Sequence, residues 1–262
     1  MWIDSHCHVT ADAFAADRAE VLARADAAGV ERLIAIGAGY GVAANAGAVA
    51  LAATDPRVYA AVGVHPHDAA QLDDAGRTAV RGWLEARRVV AVGECGLDYW
   101  YEHSPRAVQR DAFAWHVALA RELDRPVVIH VRDRESRAYE ELLEIWASEG
   151  RGDVDGVLHC YTHDLAFAKR ALEQRLWISF SGILTFKRDR GLRETAAALP
   201  LARLLVETDA PLLAPEGKRG ARNEPARVAE VGEMLAVVQR RPLEEVAAVT
   251  TRNARTLFRL PD

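Results

Sequence analysis

The sequence predicts an α/β chain of the (β/α)8 TIM-type barrel class, distorted, with its functional residues at the C-terminal face of the strands. Three observations point there. Short β-branched or apolar runs alternate with longer stretches of helical spacing. The runs number eight, the count that closes such a barrel. The length of 262 residues matches one barrel of about 250. Residues 1–262 are therefore read as a single barrel domain. A doubly wound open sheet is the alternative, weakened by the absence of a Gly-rich phosphate loop after the first run.

The strand candidates are Trp2–His6, Arg32–Ile36, Val58–Val64, Val89–Gly93, Pro126–His130, Gly156–His159, Leu176–Phe180 and Leu204–Thr208. Each is bounded by polar or Gly/Pro signals and has the length of a buried strand. Among the helices, Ala15–Ala28 carries Val21, Leu22 and Ala25 on one face and stops at Gly29. Ala107–Leu123 aligns Phe113, His116, Val117 and Ala120, and Arg137–Ala147 aligns Tyr139, Leu142, Leu143 and Trp146. Pro225–Val238 and Leu243–Leu257 read as closing helices.

Composition narrows the class. With 50% hydrophobic and 27% charged residues the chain is globular, and a chain this long buries a core without disulfides. A net charge of -5 argues against a bulk electrostatic nucleic-acid coat and leaves room for a local basic site. No apolar run approaches the roughly 20 residues of a membrane span. The opening Met1-Trp2-Ile3-Asp4 lacks a basic region followed by an apolar one, so no secretory signal is expected. Three cysteines, an odd number, fit a reducing cytoplasmic compartment. No heptad or long apolar stripe is evident, so a monomer is expected.

The chemistry lies at the strand ends. They carry Asp4-Ser5-His6-Cys7-His8, His65-Pro66-His67, Glu94-Cys95-Gly96-Leu97-Asp98, His130-Val131-Arg132-Asp133, His159-Cys160 and Glu207-Thr208-Asp209. In a barrel these points meet at one face. His6 and His8, two apart on a strand, share a face and can share a cation. Glu94, His130, His159 and Asp209 can converge on the same point. Imidazole and carboxylate donors suit Zn, Mn, Co or Fe, and the carboxylates also suit Mg. Four imidazoles and two carboxylates exceed one tetrahedral ion, so two divalent metal ions (Mg, Mn or Zn) are inferred, about 3.5–4 Å apart. Glu94 can bridge them, and Asp209 is the best candidate to bind metal and take a proton from the bound water.

Flanking residues carry weaker signals. Cys7, Cys95 and Cys160 are read as buried thiols facing the helix layer rather than as ligands. Arg132 shares the face of His130. Lys187, Arg188, Arg190, Lys218, Arg219 and Arg222 follow strands seven and eight, a basic rim that would suit an anionic substrate such as phosphate. Trp100, Tyr101 and Tyr161 are candidates for base stacking, with packing at least as strong a reading for each. Asp4 and Glu207 either orient ligand histidines or make interior hydrogen bonds. His103, His116 and His163 are not expected to be ligands.

The ordered set of these segments, with Gly63-Val64-His65-Pro66-His67, Ser181-Gly182, Glu207-Thr208-Asp209-Ala210-Pro211 and Arg222-Asn223-Glu224-Pro225, resembles the TatD family of metal-dependent deoxyribonucleases over almost the whole chain. The resemblance implies a distorted barrel with one or two divalent metals. It implies that His6, His8, Glu94 and Asp209 hold one ion and Glu94, His130 and His159 the other, with His65 close to the substrate phosphate. The implied activity is phosphodiester hydrolysis, often as a 3′→5′ exonuclease on DNA. The reading adopted from the residues is attack by a metal-bound hydroxide on DNA, with RNA as a further substrate, Glu94 and Asp209 catalytic, and Arg132 and His65 holding phosphate. Hydrolysis of an amide, lactone or aminoacyl ester on the same barrel is the alternative, and a non-catalytic nucleic-acid scaffold a third reading. One departure is visible: the family's Phe-Thr/Ser-Gly after strand six is Tyr161-Thr162-His163 here, which puts the shape of that loop in question.

Overall fold

The computed structural model describes residues 1–261. In chain order, β1 (Trp2–Cys7) and α1 (Arg18–Ala27) lead to β2 (Val30–Ile36) and α2 (Asn45–Thr54). Then come β3 (Val58–Val62), α3 (Asp74–Leu84), β4 (Val89–Asp98), α4 (Arg106–Leu123), β5 (Val127–Arg132) and α5 (Arg137–Gly150). The chain continues through β6 (Gly156–Leu158), α6 (Leu165–Glu173), β7 (Leu176–Phe180), α7 (Arg190–Ala198), β8 (Leu204–Val206), α8 (Val228–Gln239) and α9 (Leu243–Phe258).

The strands form one eight-stranded sheet in sequence order, β1 to β8. Just past β8, Asp209 N–H donates to the His6 carbonyl (2.9 Å), and His8 N–H donates to the Ala210 carbonyl (2.7 Å). The last strand therefore returns to the first, and the fold is a (β/α)8 barrel. Among the described residues no helix is long and apolar enough to cross a membrane.

By internal contacts the chain divides into two compact units. The first comprises 1–35, 159–173 and 177–262. Within it, Asn253 of α9 donates to the Leu201 and Leu204 carbonyls at 2.9 and 2.8 Å, fixing the start of β8. Buried Asp4 accepts from the backbone N–H (2.9 Å) and hydroxyl (2.6 Å) of Thr208, fixing its end. The helix read as Ala15–Ala28 begins only at Arg18, because Asp12–Phe14 wind as a 3₁₀ turn that buries Phe14.

The second unit comprises 36–158 and 174–176. Its β4 runs to Asp98, five residues beyond the Gly93 expected from sequence. Glycine makes the extension possible. Gly96 sits at φ +143°, and a Cβ there would lie 1.9 Å from the His130 carbonyl oxygen. The bare backbone lets β4 continue alongside β5, pairing Gly96 with His130 and Asp98 with Arg132 after a register shift between Gly93 and Cys95. Glu94 and Asp98 thus belong to a strand rather than to the loop after it.

The end of β3 is held from two sides. Asn45 accepts from Gly63 N–H (3.1 Å) and donates to its carbonyl (2.9 Å). Val64 N–H donates to Nε2 of buried His116 (3.1 Å), whose Nδ1 faces the Ala112 carbonyl (2.7 Å). Nε2 must then be unprotonated, so His116 is the neutral tautomer with its proton on Nδ1. Burial pushes its pKa down to about 4. Between pH 6.5 and 4 the unfolded chain therefore binds a proton that the folded one refuses. The contribution of His116 to stability is complete above pH 6.5 and is lost as the pH falls through that window. From pH 7 to 5 that loss is about 2 kcal/mol. Urea unfolding at the two pH values should show a drop smaller by about this amount in His116→Gln; equal drops would contradict the assignment.

Candidate metal centre

In the first unit, β1 carries His6 and its extension carries His8. The two Nε2 atoms lie 3.3 Å apart, and Asp209 Oδ1 lies 3.4 Å from His6 and 3.5 Å from His8. The three donor atoms form a nearly equilateral triangle. Donors at about 2.0–2.1 Å from one ion are about 3.3 Å apart along a tetrahedral edge, so the triangle fits a divalent cation of zinc size. Asp209 reaches it through a left-handed backbone (φ +56°), held by the hydrogen bond from its N–H to His6.

His159 follows β6 and stacks on His6, with ring centroids 3.8 Å apart and planes inclined by 6°. Its Nδ1 lies 3.1 Å from Oε1 of buried Glu207, which also accepts from Cys160 N–H at 2.8 Å. With Nδ1–H donated to Glu207, Nε2 carries the lone pair that could serve as a ligand. Burial pushes the Glu207 carboxyl above its ordinary value, opposed by the hydrogen bond from His159.

In the second unit, Glu94 Oε1 lies 3.2 Å from His130 Nδ1 and 3.5 Å from His65 Nε2. The other ring nitrogen of His130 lies 3.0 Å from Asp98 Oδ2, which also meets His67 Nε2 at 3.0 Å. Burial opposes the charge on Asp98, but the hydrogen bonds from His130 and His67 hold its carboxyl well below the usual range. His130 is thus backed by a carboxylate, with Nδ1 turned towards Glu94, the carboxylate–histidine arrangement of metal sites. His65 differs. Its Nδ1 accepts from His67 N–H at 3.1 Å, so a neutral ring carries its proton on Nε2, the atom that faces Glu94. His65 is built as a donor, which suits contact with an anionic oxygen better than metal ligation.

Other sequence expectations meet mixed outcomes. Of the two roles open to Asp4, the structure shows interior hydrogen bonds, accepted from Thr208 and from His6 N–H. Tyr161 is buried against Phe167 and Phe180, its hydroxyl donating to the Asp164 carbonyl, and offers no stacking face. Half of the basic rim is paired with carboxylates: Arg222 with Asp17 and Glu224, Lys218 with Glu230 and Arg190 with Glu194. Cys7 and Cys95 are buried, and burial raises both thiols, as expected of packing residues; Cys160 is only partly buried, its sulfur 3.1 Å from Ser181 Oγ. His163 stacks on Phe167, and the left-handed residue of its loop is Cys160 (φ +44°), so a glycine at 163 is not required. Sequence reasoning gave no role to Asp98; its spacing of four from Glu94 along one strand is the signal that places both on one face.

A model of the family described as TatD related DNase matches residues 3–259. The chain belongs to that family. It is 36% identical over 260 residues to the metal-dependent hydrolase YabD of Bacillus subtilis (strain 168), covering 99% of this chain and 100% of that protein. It is 35% identical over 260 residues to the 3′-5′ ssDNA/RNA exonuclease TatD of Salmonella typhimurium (strain LT2), covering 97% and 98% respectively. The crystal structure of YJJV, a TatD homologue from Escherichia coli K12, superposes with a TM-score of 0.91 at 33% identity, over 99% of this chain and 98% of the other. The protein is thus a TatD-family metal-dependent hydrolase, and its His, Glu and Asp clusters are chemically matched to metal binding.

If Glu207 and Asp98 orient ligand histidines, removing either charge should weaken metal retention. Glu207→Gln and Asp98→Asn are each expected to lower metal affinity about 10- to 100-fold, read by competition with a fluorescent chelator. Unchanged affinity in both variants would reduce these carboxylates to packing elements.

Proposed function

We propose that the protein hydrolyses phosphodiester bonds as a DNase acting 3′→5′ on single strands, with RNA strands as further substrates. The observation that carries the reading is the paired design of the two donor clusters. In each, a histidine bonded to a carboxylate stands beside an acidic residue able to bind metal. The activity given in the name of the Salmonella relative supports it.

His6, His8, Glu94 and Asp209 would hold one cation, and Glu94, His130 and His159 a second, with Glu94 shared. Bound divalent cations would supply Lewis-acid stabilisation of the phosphate and make water acidic enough to deprotonate near neutral pH. Asp209 takes the proton of the attacking water. His65 donates from Nε2 to a non-bridging phosphate oxygen, and Arg132 holds a phosphate through its guanidinium. Glu207 and Asp98 keep the ligand histidines aimed.

End-labelled single-stranded DNA incubated with the metal-loaded protein tests this. Stepwise release of mononucleotides is expected, abolished by chelator and reduced about 10²–10⁴-fold or more in Asp209→Asn. No release with Mg²⁺, Mn²⁺ or Zn²⁺, together with turnover of an amide or ester panel, would overturn it in favour of carbonyl chemistry.

A further inference from the structure

Beyond β4 the chain turns, burying Tyr99 but leaving Trp100 39% and Tyr101 50% exposed. Large aromatic rings are normally withdrawn from water, and two in succession on a surface turn are a stacking resource. The turn is held firmly. Asp98 Oδ1 accepts from Trp100 N–H (3.0 Å) and Tyr101 N–H (2.9 Å). The other oxygen of the same carboxylate faces His130 and His67. One side chain thus fixes the aromatic turn relative to a candidate metal ligand.

Two cations accompany the rings. The Arg132 guanidinium carbon lies 5.1 Å from the centroids of both Trp100 and Tyr101, and that of Arg134 lies 4.2 Å from Trp100. Neighbouring Arg106 and Arg137 pair with Glu102 and Glu141. The nearby Asp133 carboxylate is engaged by the backbone N–H groups of Arg134, Glu135 and Ala138. Arg132 and Arg134 lie against aromatic faces instead, with their charge available to an incoming anion.

We propose that Trp100 and Tyr101, flanked by Arg132 and Arg134, form a specificity platform on which unpaired bases of the substrate strand stack while the two guanidiniums hold its phosphates. The proposal rests on the phosphodiesterase reading above and names the residues that select single strands. Duplex bases are already stacked on one another and present no free face, whereas an unpaired base of any identity does. The platform would discriminate strand structure, with little discrimination between base sequences.

The test measures binding of metal-loaded protein to a fluorescent single-stranded oligonucleotide with hydrolysis-resistant phosphorothioate linkages. It is compared with the same strand carrying abasic positions at its 3′ end. Trp100→Ala should weaken binding of the intact strand about 5- to 150-fold. Trp100→Phe, which keeps a ring, should recover most of the loss. Abasic substitution should weaken wild-type binding by a similar factor but add little to Trp100→Ala. Equal losses by Trp100→Ala on intact and abasic strands, or no loss on either, would overturn the platform, as would wild-type protein that binds neither strand. Hydrolysis of the unmodified strand is scored separately. A coupled loss of binding without hydrolysis would sink the proposed reaction and leave the platform standing.

Discussion

The two ends of the strand series meet through one buried carboxylate. Asp4, fully enclosed, accepts from Thr208 N–H and Oγ1–H and from His6 N–H. Burial pushes its pKa up to about 8, against the lowering of those three donors. A polar group taken this far out of water is costly unless its hydrogen bonds are made, so the geometry of Thr208 is tightly prescribed. With Thr208 fixed, the next residue, Asp209, can turn left-handed and direct its carboxylate at His6 and His8. The donor triangle depends on this contact although Asp4 belongs to none of its corners.

The second cluster is organised by absence of bulk. β4 approaches β5 so closely at Gly96 that no side chain could stand there. The approach carries Glu94 and Asp98 into the strand, where they bracket His130 through its two ring nitrogens. The first cluster is positioned by a buried charge and the second by missing Cβ atoms, yet both end with a histidine backed by a carboxylate. That recurrence reflects a requirement of metal chemistry: an imidazole binds a cation through one nitrogen only when the other holds the proton, and a carboxylate acceptor fixes that choice.

Much of this was legible in the sequence. The strand–helix alternation, the eight runs and the histidines at strand ends depend on local patterns of apolar and polar residues, which survive folding. The pairing of His6 with His8 followed from the two-residue repeat of a strand. The extent of β4 did not, because a glycine pair reads locally as an end and only the neighbouring strand makes it a continuation. The destination of Asp4 was equally hidden: its partner Thr208 is 204 residues away in sequence. Residue type alone leaves stacking and packing open for Tyr161 and does not reveal the acidic partners of Arg222; the tertiary neighbours, an aromatic pocket and two carboxylates, decide both.

The fate of the basic residues changes how an anionic substrate would be attracted. The chain as a whole is negative, and the exposed pairs formed by Lys218, Arg190 and Arg222 are nearly neutral at a distance. Beyond a Debye length of about 8–10 Å such pairs contribute little field. These three pairs would therefore add little to the long-range steering of a phosphate strand. On the phosphodiesterase reading, short-range attraction would come from cations held by the carboxylate and imidazole clusters and from guanidiniums not engaged with carboxylates. Arg132 is tied to both roles, extending β5 two residues past His130 while resting against Trp100 and Tyr101. A binding surface of this kind favours ligands that bring phosphate and an accessible planar base to the same place, and a phosphate alone gains only part of the interaction.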